Sequence, residues 1–484
     1  MFIFYQEIIT LNVKLYKAIV SSVIGKLAVY IVQFTLLMIY ARLFSPDDFG
    51  KVASIFVFVV FFQLLSDIGI GPALINEKRI SKSELNGVFT LTIIIGIITT
   101  IIFLVSSVFI SDFYSDKIYQ LLVLCIAPTV LFSCCSIVPY TCCLKDVLII
   151  KINIIEAISH IISFLLIIIT LDFISPIVLL ALRSSIFSCV RFFILYKVSS
   201  KTSLGRAIIG FDFSIFERIW KFSSYQFGFG IINYFSRNLD NILIAKFLGP
   251  IKVGIYDQSY QLMRYPLQLT SFALSSAIQP VLSEKKSDLE YIANEHNKLI
   301  EKIVCLSLII FSFFFFNSEL IVYLILGDKW LKVIPLIEIF NYSLPFQMIM
   351  ATSGAFFQSI GRVDLLFRAG LIGSIIFVIS IVTSIFFYSI KATAWSVTIS
   401  FILNFISIYY ILFKFGFKKE LKSFYLTIYK VILKFIPYII LTIFIYSVLE
   451  NILDHESYFI GIISTILPIV VFMKKFLLIM KENN

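Results

Sequence analysis

Charged side chains are scarce in this sequence: Asp, Glu, Lys and Arg together make up 14% of the 484 residues, whereas 60% are hydrophobic. A water-soluble protein of this length needs far more polar material to cover its surface, so a soluble globular fold is excluded. Metal ligands are also few, with three histidines and with all seven cysteines inside apolar runs. We therefore interpret the cysteines as small hydrophobic residues and predict no metal centre and no other cofactor.

Further features are missing, and each absence excludes a class of protein or segment. The phosphate-binding pattern G-x-x-x-x-G-K-S/T does not occur, which argues against an ATP-driven pump. Residues 1–10 lack a basic start and a small-residue cleavage site, so a removable signal peptide is not expected. No polar segment exceeds roughly 25 residues, which is below the size of an independent domain. We therefore expect the function to lie within the membrane.

The sequence is rich in apolar runs of about twenty residues, each long enough to cross a bilayer as a helix. Helices are expected rather than strands, because runs such as residues 93–103 show no alternation of polar and apolar residues. We predict an all-α polytopic membrane protein with about fourteen transmembrane helices. The predicted spans cover residues 19–43, 52–75, 87–110, 118–142, 147–170, 174–196, 221–248, 253–282, 299–326, 331–360, 367–389, 391–413, 431–450 and 458–479.

The formal net charge of +11 is concentrated on alternate connections between the spans. Connections such as 197–220 and 414–430 are rich in lysine and arginine, whereas 45–50 and 171–176 contain hardly any cations. By the positive-inside rule the basic side is cytoplasmic, which places both termini in the cytoplasm. We attribute the net charge to orientation signals and to attraction to anionic membrane lipids, and we do not expect nucleic acid as a partner.

An internal repeat divides the chain. The segment from Ala41 to Gly50 aligns without gaps to the segment from Ala245 to Gly254, an offset of 204 residues that contains six predicted spans. An even number of spans returns the second copy in the same orientation, as in parallel repeats of transporters. We predict an N-lobe over residues 1–196, a cytoplasmic linker over 197–220, a C-lobe over 221–414 and an extension of two helices over 415–484.

Polar residues inside the spans recur at helical spacing, and such residues are tolerated in lipid only where they face a protein interior or water. Their arrangement predicts a wet cleft between the lobes whose cations suit an anionic group such as phosphate or pyrophosphate. The predicted substrate-binding residues are Lys26, Gln33, Arg183, Asn233, Arg237, Arg264 and Gln268. The predicted ion-coupling residues are Asp67, Glu156, His160 and Asp240.

Several of these residues also fit a purely structural interpretation. Glu156 and His160, four residues apart on one helix, can satisfy one another without any role in ion coupling. Arg237 and Asp240 can likewise form an internal pair within their helix. Arg191 lies near the predicted cytoplasmic end of its span, where an arginine is expected to extend toward the lipid headgroups.

The motifs themselves resemble a known family. Ala41-Arg42-Leu43, the run from Ser45 to Gly50 and the run from Ser66 to Gly71 resemble the polysaccharide-transporter branch of the MOP flippase superfamily, and Asp240 to Gly249 is similar to the same branch. The chain departs from this branch at Gly25-Lys26, where relatives often carry glycine-arginine. The cation is kept there, but the bidentate guanidinium fork is lost.

The resemblance implies a MATE-like fold with two six-helix lobes and two C-terminal helices. It implies an O-antigen or exopolysaccharide (Wzx-type) flippase in the bacterial inner membrane, not an enzyme. Such a flippase moves polyprenyl-pyrophosphate-linked oligosaccharide units from the cytoplasmic to the outer leaflet by alternating access. The implied partners are this lipid-linked substrate, membrane lipids and other polysaccharide assembly proteins.

Two alternatives remain open on the sequence. An integral-membrane polymerase or ligase of lipid-linked sugars would be expected to carry a long outer loop with catalytic residues, and every predicted outer connection is short. A cation-coupled exporter of small molecules would have the same fold. The cationic character of the polar stripes argues against positively charged drugs as its cargo.

Overall fold

The computed structural model describes residues 25–67, 69–77, 79–283, 288–452 and 460–469, and within these ranges every regular element is a helix. Ten of the described helices are long and apolar enough to cross a membrane, or eleven if one bent pair counts as a single span. The predicted all-α, multi-pass architecture is therefore confirmed. The chain divides into two compact units, Met1–Gly254 and Ile255–Asn484.

The helices of the first unit follow one another with short connections. They are α1 (Gly25–Leu43), α2 (Pro46–Asp67), α3 (Ile70–Asn76), α4 (Lys82–Val105), α5 (Ser107–Tyr114), α6 (Ile118–Cys135), α7 (Ile137–Lys145), α8 (Ile149–Ile169), α9 (Pro176–Ser199) and α10 (Ser214–Leu248). Helix α6 packs against α2, α4 and α9, and α8 packs along α9. The unit's core lies between these helices.

Helix α11 (Pro250–Ser283) begins in the first unit and continues into the second. The second unit then contains α12 (Leu289–Ile325), a 3-10 helix (Asp328–Val333), α13 (Ile334–Asn341), α14 (Leu344–Met350), α15 (Ser353–Ser359), α16 (Val363–Ile385), α17 (Ile390–Ile411), a π-helix (Leu412–Phe417), α18 (Lys422–Ile452) and α19 (Ile460–Ile469). Helix α16 packs along α17, and α12 contacts α13, α14 and α18.

The described helices occur in the same order as the predicted spans. The segments Asp328–Asn341 and Leu344–Ser359, bent by 56° at a short break, correspond to the span predicted over 331–360. Helices α10 and α11 are long but too polar to be among the ten, and α19 is a shorter apolar helix. The total of about fourteen spans is compatible with this arrangement and stays a prediction.

Local sequence explains where two of the long helices begin. In α2, Ser45 is the N-cap and Pro46 is the first helical residue, a position that tolerates a missing N–H. The Ser45 N–H donates to Asp48 Oδ2 at 3.0 Å, and the Asp48 N–H donates back to Ser45 Oγ at 3.2 Å. Ser81 and Glu84 form the same reciprocal capping box at the start of α4.

The two copies of the repeat meet each other inside the first unit. A Cβ added to Gly50 would overlap the Pro250 carbonyl oxygen and lie 3.0 Å from the Gly254 nitrogen. A Cβ added to Gly254 would overlap the Pro46 carbonyl oxygen and lie 3.0 Å from the Gly50 nitrogen. The proline and glycine shared by the two motifs therefore have a structural cause, since only glycine allows the two helix N-termini to approach this closely.

Helix α10 packs against α2, α3 and α4. The Arg218 guanidinium is 2.9 Å from Glu84 Oε1, and the Tyr234 hydroxyl donates to the Val57 carbonyl at 3.1 Å. The division between the two compact units consequently falls after α10, whereas the predicted linker precedes it. The four predicted domain ranges stay a prediction.

The second unit contains a buried histidine enclosed by aromatic rings. His296 of α12 has no exposed surface, and its ring centroid lies 4.7–5.8 Å from five aromatic rings. These rings belong to Phe356, Tyr409, Phe413, Phe417 and Phe424. They come from α15, α17, the π-helix and α18, so this cluster fixes four elements around α12.

Candidate functional site

Three helices of the first unit, α1, α8 and α9, bring charged side chains together between apolar faces. Lys26 Nζ of α1 lies 2.9 Å from Glu156 Oε2 of α8, and Arg191 Nη2 of α9 lies 3.7 Å from Glu156 Oε1. We call these three residues the ionic cluster. The side chains of Lys26, Glu156 and Arg191 are 31%, 16% and 23% exposed, so the cluster is largely buried.

A close contact between α1 and α8 positions the cluster. A Cβ added to Gly25 would lie 2.5 Å from Asn153 Nδ2, so a larger residue at position 25 would displace the Asn153 side chain, whereas glycine allows α1 to lie close to α8 at this level. Lys26 follows Gly25 directly, and Glu156 lies one turn beyond Asn153 on α8. The glycine contact therefore sets the distance at which the lysine meets the carboxylate.

A second polar contact joins α1 to α8 about two turns further along α1. Gln33 Nε2 lies 3.0 Å from His160 Nε2. The His160 ring stacks on Phe187 of α9, with 4.2 Å between the ring centroids and 23° between the planes. The contact thus combines an amide, an imidazole and an aromatic face.

A third contact lies another two turns along α1. The Arg183 guanidinium of α9 sits 4.8 Å from the centroid of the buried Tyr40 ring, within the range of a cation–π interaction. Ser163 of α8 donates to the Arg183 carbonyl at 2.9 Å. Because α1 rises about 1.5 Å per residue, Lys26, Gln33 and Tyr40 are spaced about 10 Å apart along the helix.

The charges of this region do not balance. Lys26, Arg183 and Arg191 all lie close enough to His160 to act on it electrostatically. Glu156 is the carboxylate that is ion-paired with two of these three cations. Cations in such excess over carboxylate, inside helices of membrane-spanning length, create a positive local potential that favours an anionic ligand.

Of the predicted site residues, the structure brings together Lys26, Gln33, Glu156, His160 and Arg183. Elsewhere in the first unit, Asp67 Oδ1 accepts the Gly71 N–H at 3.3 Å where α2 ends. Asp240 is buried, with Oδ1 accepting the Asn241 N–H at 2.9 Å.

The remaining predicted residues are on α10 and α11. The Arg237 side chain is exposed, and the Asn233 side chain lies outside the described residues. In the second unit, Arg264 is exposed with its guanidinium 5.7 Å from the Tyr260 ring centroid, and Gln268 is half-buried.

Two structural interpretations of the sequence are wrong. Glu156 and His160 do not satisfy each other along α8, because Glu156 pairs with Lys26 and Arg191 and His160 pairs with Gln33. Arg191 does not extend toward the headgroups. Its guanidinium turns inward to the ionic cluster and packs 5.3 Å from the Tyr140 ring centroid.

Sequence reasoning thus missed Arg191 as a site residue, although a signal was present. Arg183, Phe187 and Arg191 are spaced four residues apart on α9, which places them along one face of the helix. The inward position of Arg183 therefore predicts an inward Arg191. Its position near the end of the span does not decide which way its side chain turns.

Comparison with known proteins agrees with this architecture. Residues 39–335 match the family described as polysaccharide biosynthesis protein. The chain is 22% identical to the teichuronic acid biosynthesis protein TuaB of Bacillus subtilis, over 78% of this chain and 77% of TuaB. It is also 22% identical to the lipopolysaccharide biosynthesis protein WzxC of Escherichia coli, over 79% of this chain and 77% of WzxC.

Solved structures show the fold. An inward-facing multidrug resistance MATE family transporter of the MOP superfamily is similar with a TM-score of 0.63, at 12% identity, covering 82% of this chain and 94% of that one. The MATE multidrug transporter DinF-BH is similar with a TM-score of 0.58, at 14% identity, covering 85% and 96%. The predicted MATE-like fold is therefore confirmed.

Proposed function

Because the chain belongs to the polysaccharide biosynthesis protein family and has the fold of MATE transporters, we propose that it flips a lipid-linked saccharide during polysaccharide assembly. The family and the fold support a membrane transporter rather than an enzyme. The proposed cargo is a polyprenyl-pyrophosphate-linked oligosaccharide. It moves from the cytoplasmic to the outer leaflet of the bacterial plasma membrane by alternating access.

The observation that carries the proposal is the ionic cluster. Lys26 and Arg191 share one carboxylate, Glu156, so the cluster has a net charge of +1 before any ligand binds. A pyrophosphate group is a compact polyanion, and ammonium and guanidinium groups are the side chains that bind such groups best. The cluster supports an anionic cargo more strongly than a cationic one.

The residues beyond the cluster suit the saccharide part of the cargo. Gln33 and His160 offer hydrogen-bonding groups next to the Phe187 ring, and Arg183 lies further along α9 beside Tyr40. A saccharide with a flat apolar face can pack against the half-buried Phe187 ring while it hydrogen-bonds to the amide and imidazole. Arg237, Arg264, Asn233 and Gln268 stay candidates for further substrate contacts.

Energy for the transport is proposed to come from an ion gradient. Glu156 and His160 are the favoured coupling residues, because both lie among the cations that would contact the cargo. Asp67 and Asp240 are further candidates. Loss of a proton or another cation at such a carboxylate changes the local charge, and this change can favour binding in one state and release in the other.

The second candidate, a cation-coupled exporter of small molecules, shares the fold and the coupling residues. The two candidates differ in the charge of the cargo that they transport. The excess of cations in the first unit favours the anionic lipid-linked saccharide, whereas an exporter of cationic drugs is expected to present carboxylates.

A complementation experiment tests the proposal. Deleting the gene should abolish the surface polysaccharide and leave lipid-linked units in the cytoplasmic leaflet, and the wild-type chain should restore export. The double variant Lys26→Gln/Arg191→Gln should be present in the membrane at normal abundance but restore no polysaccharide. Normal surface polysaccharide in the deletion strain, or full restoration by the double variant, would contradict the proposal.

A further inference from the structure

The two cations of the ionic cluster differ in their hydrogen bonds to Glu156. Lys26 Nζ makes a hydrogen bond of 2.9 Å to Glu156 and is a point charge on a flexible stem. Arg191 Nη2 is 3.7 Å from the other carboxylate oxygen, which is too long for a hydrogen bond. The guanidinium is therefore ion-paired with the carboxylate without donating a hydrogen bond to it.

Arg191 also contains an unsatisfied polar atom. Its Nε is buried and has no hydrogen-bond partner among the described residues. A buried donor without a partner is costly, typically about 1–3 kcal/mol, and calls for an explanation such as a missing ligand. The Nε and one terminal nitrogen form the edge of the guanidinium that binds two oxygens of one phosphate at once.

An aromatic ring lies beside this guanidinium. The Arg191 guanidinium is 5.3 Å from the centroid of Tyr140, within the range of a cation–π interaction, and this contact limits its movement. An arginine held in this way loses less rotamer entropy when it binds an anion than a free one does. The site is thus organised before the ligand arrives.

We propose that Arg191 supplies the bidentate contact to the pyrophosphate group of the cargo, with Lys26 as the neighbouring point charge. This inference rests on the proposed function and names the residue of that site that recognises the anion. It also accounts for the lysine at position 26, because the guanidinium fork missing from α1 is present on α9. Glu156 is then the internal counter-ion that the entering pyrophosphate displaces from Arg191.

Binding of inorganic pyrophosphate to the purified full-length protein tests the inference. Arg191→Lys keeps the charge and removes the fork, and we expect it to weaken pyrophosphate binding about tenfold or more, the loss expected for one charge-assisted hydrogen bond. The matched control is Arg206→Lys. Arg206 also lies over a tyrosine, 5.2 Å from the Tyr196 ring centroid, but outside the cluster, and its replacement should leave binding unchanged.

The same measurement with inorganic phosphate tests the geometry of the contact. Because the fork binds two oxygens of one phosphate group, phosphate binding should fall by a similar factor in Arg191→Lys. Should Arg191→Lys fail to fold, Tyr140→Leu decides instead, because it releases the guanidinium while keeping every charge. It should weaken pyrophosphate binding several-fold.

Wild-type affinity for pyrophosphate in Arg191→Lys, or an equal loss in Arg206→Lys, would overturn the inference. If Arg191→Lys does not fold, wild-type affinity for pyrophosphate in Tyr140→Leu would overturn the inference instead. Complementation distinguishes the two levels of the proposal. If the wild-type chain does not restore surface polysaccharide to the deletion strain while Arg191→Lys loses pyrophosphate binding in vitro, the proposed function fails and the recognition of pyrophosphate by Arg191 stands. If the wild-type chain restores it while Arg191→Lys binds pyrophosphate as tightly as the wild type, the inference fails and the proposed function stands.

Discussion

Replacing Glu156 with glutamine tests the ionic cluster most simply, because the change preserves shape and removes one charge. In the wild-type protein this carboxylate lies 2.9 Å from Lys26 Nζ and 3.7 Å from Arg191 Nη2. Without it, two cations face each other across the space between α1 and α9. We expect the ligand-free protein to lose stability and to bind pyrophosphate more tightly.

The magnitude follows from the geometry. At an effective dielectric constant of about 20, a pair of unit charges at the Lys26–Glu156 distance attracts by about 6 kcal/mol, and most of this gain is offset by desolvation. Removing one partner of a buried pair costs about 3–5 kcal/mol. Because the cluster is partly exposed and glutamine still accepts a hydrogen bond from Lys26, we expect a loss of about 2–3 kcal/mol.

The assay is denaturant unfolding of the purified protein, with and without inorganic pyrophosphate. The matched control is Glu290→Gln, whose carboxylate pairs with Lys419 at 2.9 Å but is 75% exposed, so its loss should cost less than about 1 kcal/mol. Pyrophosphate at ten times its Kd for the variant should return about 1.4 kcal/mol to the variant, and the same concentration should stabilise the wild type less, because the wild type binds it more weakly. A cost of Glu156→Gln no larger than that of the control, or equal stabilisation of both proteins at that concentration, would contradict the prediction.

Three other substitutions probe the packing around this site and the repeat. Gly25→Ala places a methyl group 2.5 Å from Asn153 Nδ2, so it should move α1 away from α8. Polysaccharide export, measured by complementation, should fall at least several-fold. Unchanged export would contradict the role of this contact. Gly50→Ala should destabilise the protein by about 3 kcal/mol in denaturant unfolding, because the new methyl group overlaps the Pro250 backbone. The control Gly370→Ala adds a methyl group with nothing within 4 Å and should leave stability unchanged. Equal effects of the two substitutions would argue against a close contact between the repeats. Arg218→Gln removes the partner of Glu84 at 2.9 Å and should expose α10 to faster proteolysis, with Arg362→Gln, in an exposed pair with Asp364, as the unaffected control.

Much of the fold could be predicted because lipid imposes simple rules on sequence. Long apolar runs must be helices, and the polar residues of α1 and α8 must share a face, since any other face meets acyl chains. Lys26 and Gln33 of α1 accordingly face Glu156 and His160 of α8, as their spacing predicts. The repeat was also visible, and its glycines now have a cause in the contact between Gly50 and Gly254.

The partners of these residues could not be predicted in the same way. Spacing along one helix suggested that Glu156 pairs with His160, whereas the pairing across helices depends on the register between α1 and α8. That register brings Gly25 against Asn153, a tertiary contact without periodicity. Likewise, the packing of α10 depends on contacts such as Arg218 with Glu84, which hydropathy alone does not reveal.

Transport by the purified protein in liposomes tests the central claim most directly. A polyprenyl-pyrophosphate-linked saccharide is placed in one leaflet, and its appearance in the other is measured for the wild type, Arg191→Lys and Arg206→Lys. We predict rapid flipping by the wild type and by Arg206→Lys, and at least tenfold slower flipping by Arg191→Lys. Flipping at the same rate by all three proteins, or at the rate of protein-free liposomes by the wild type, would contradict the account.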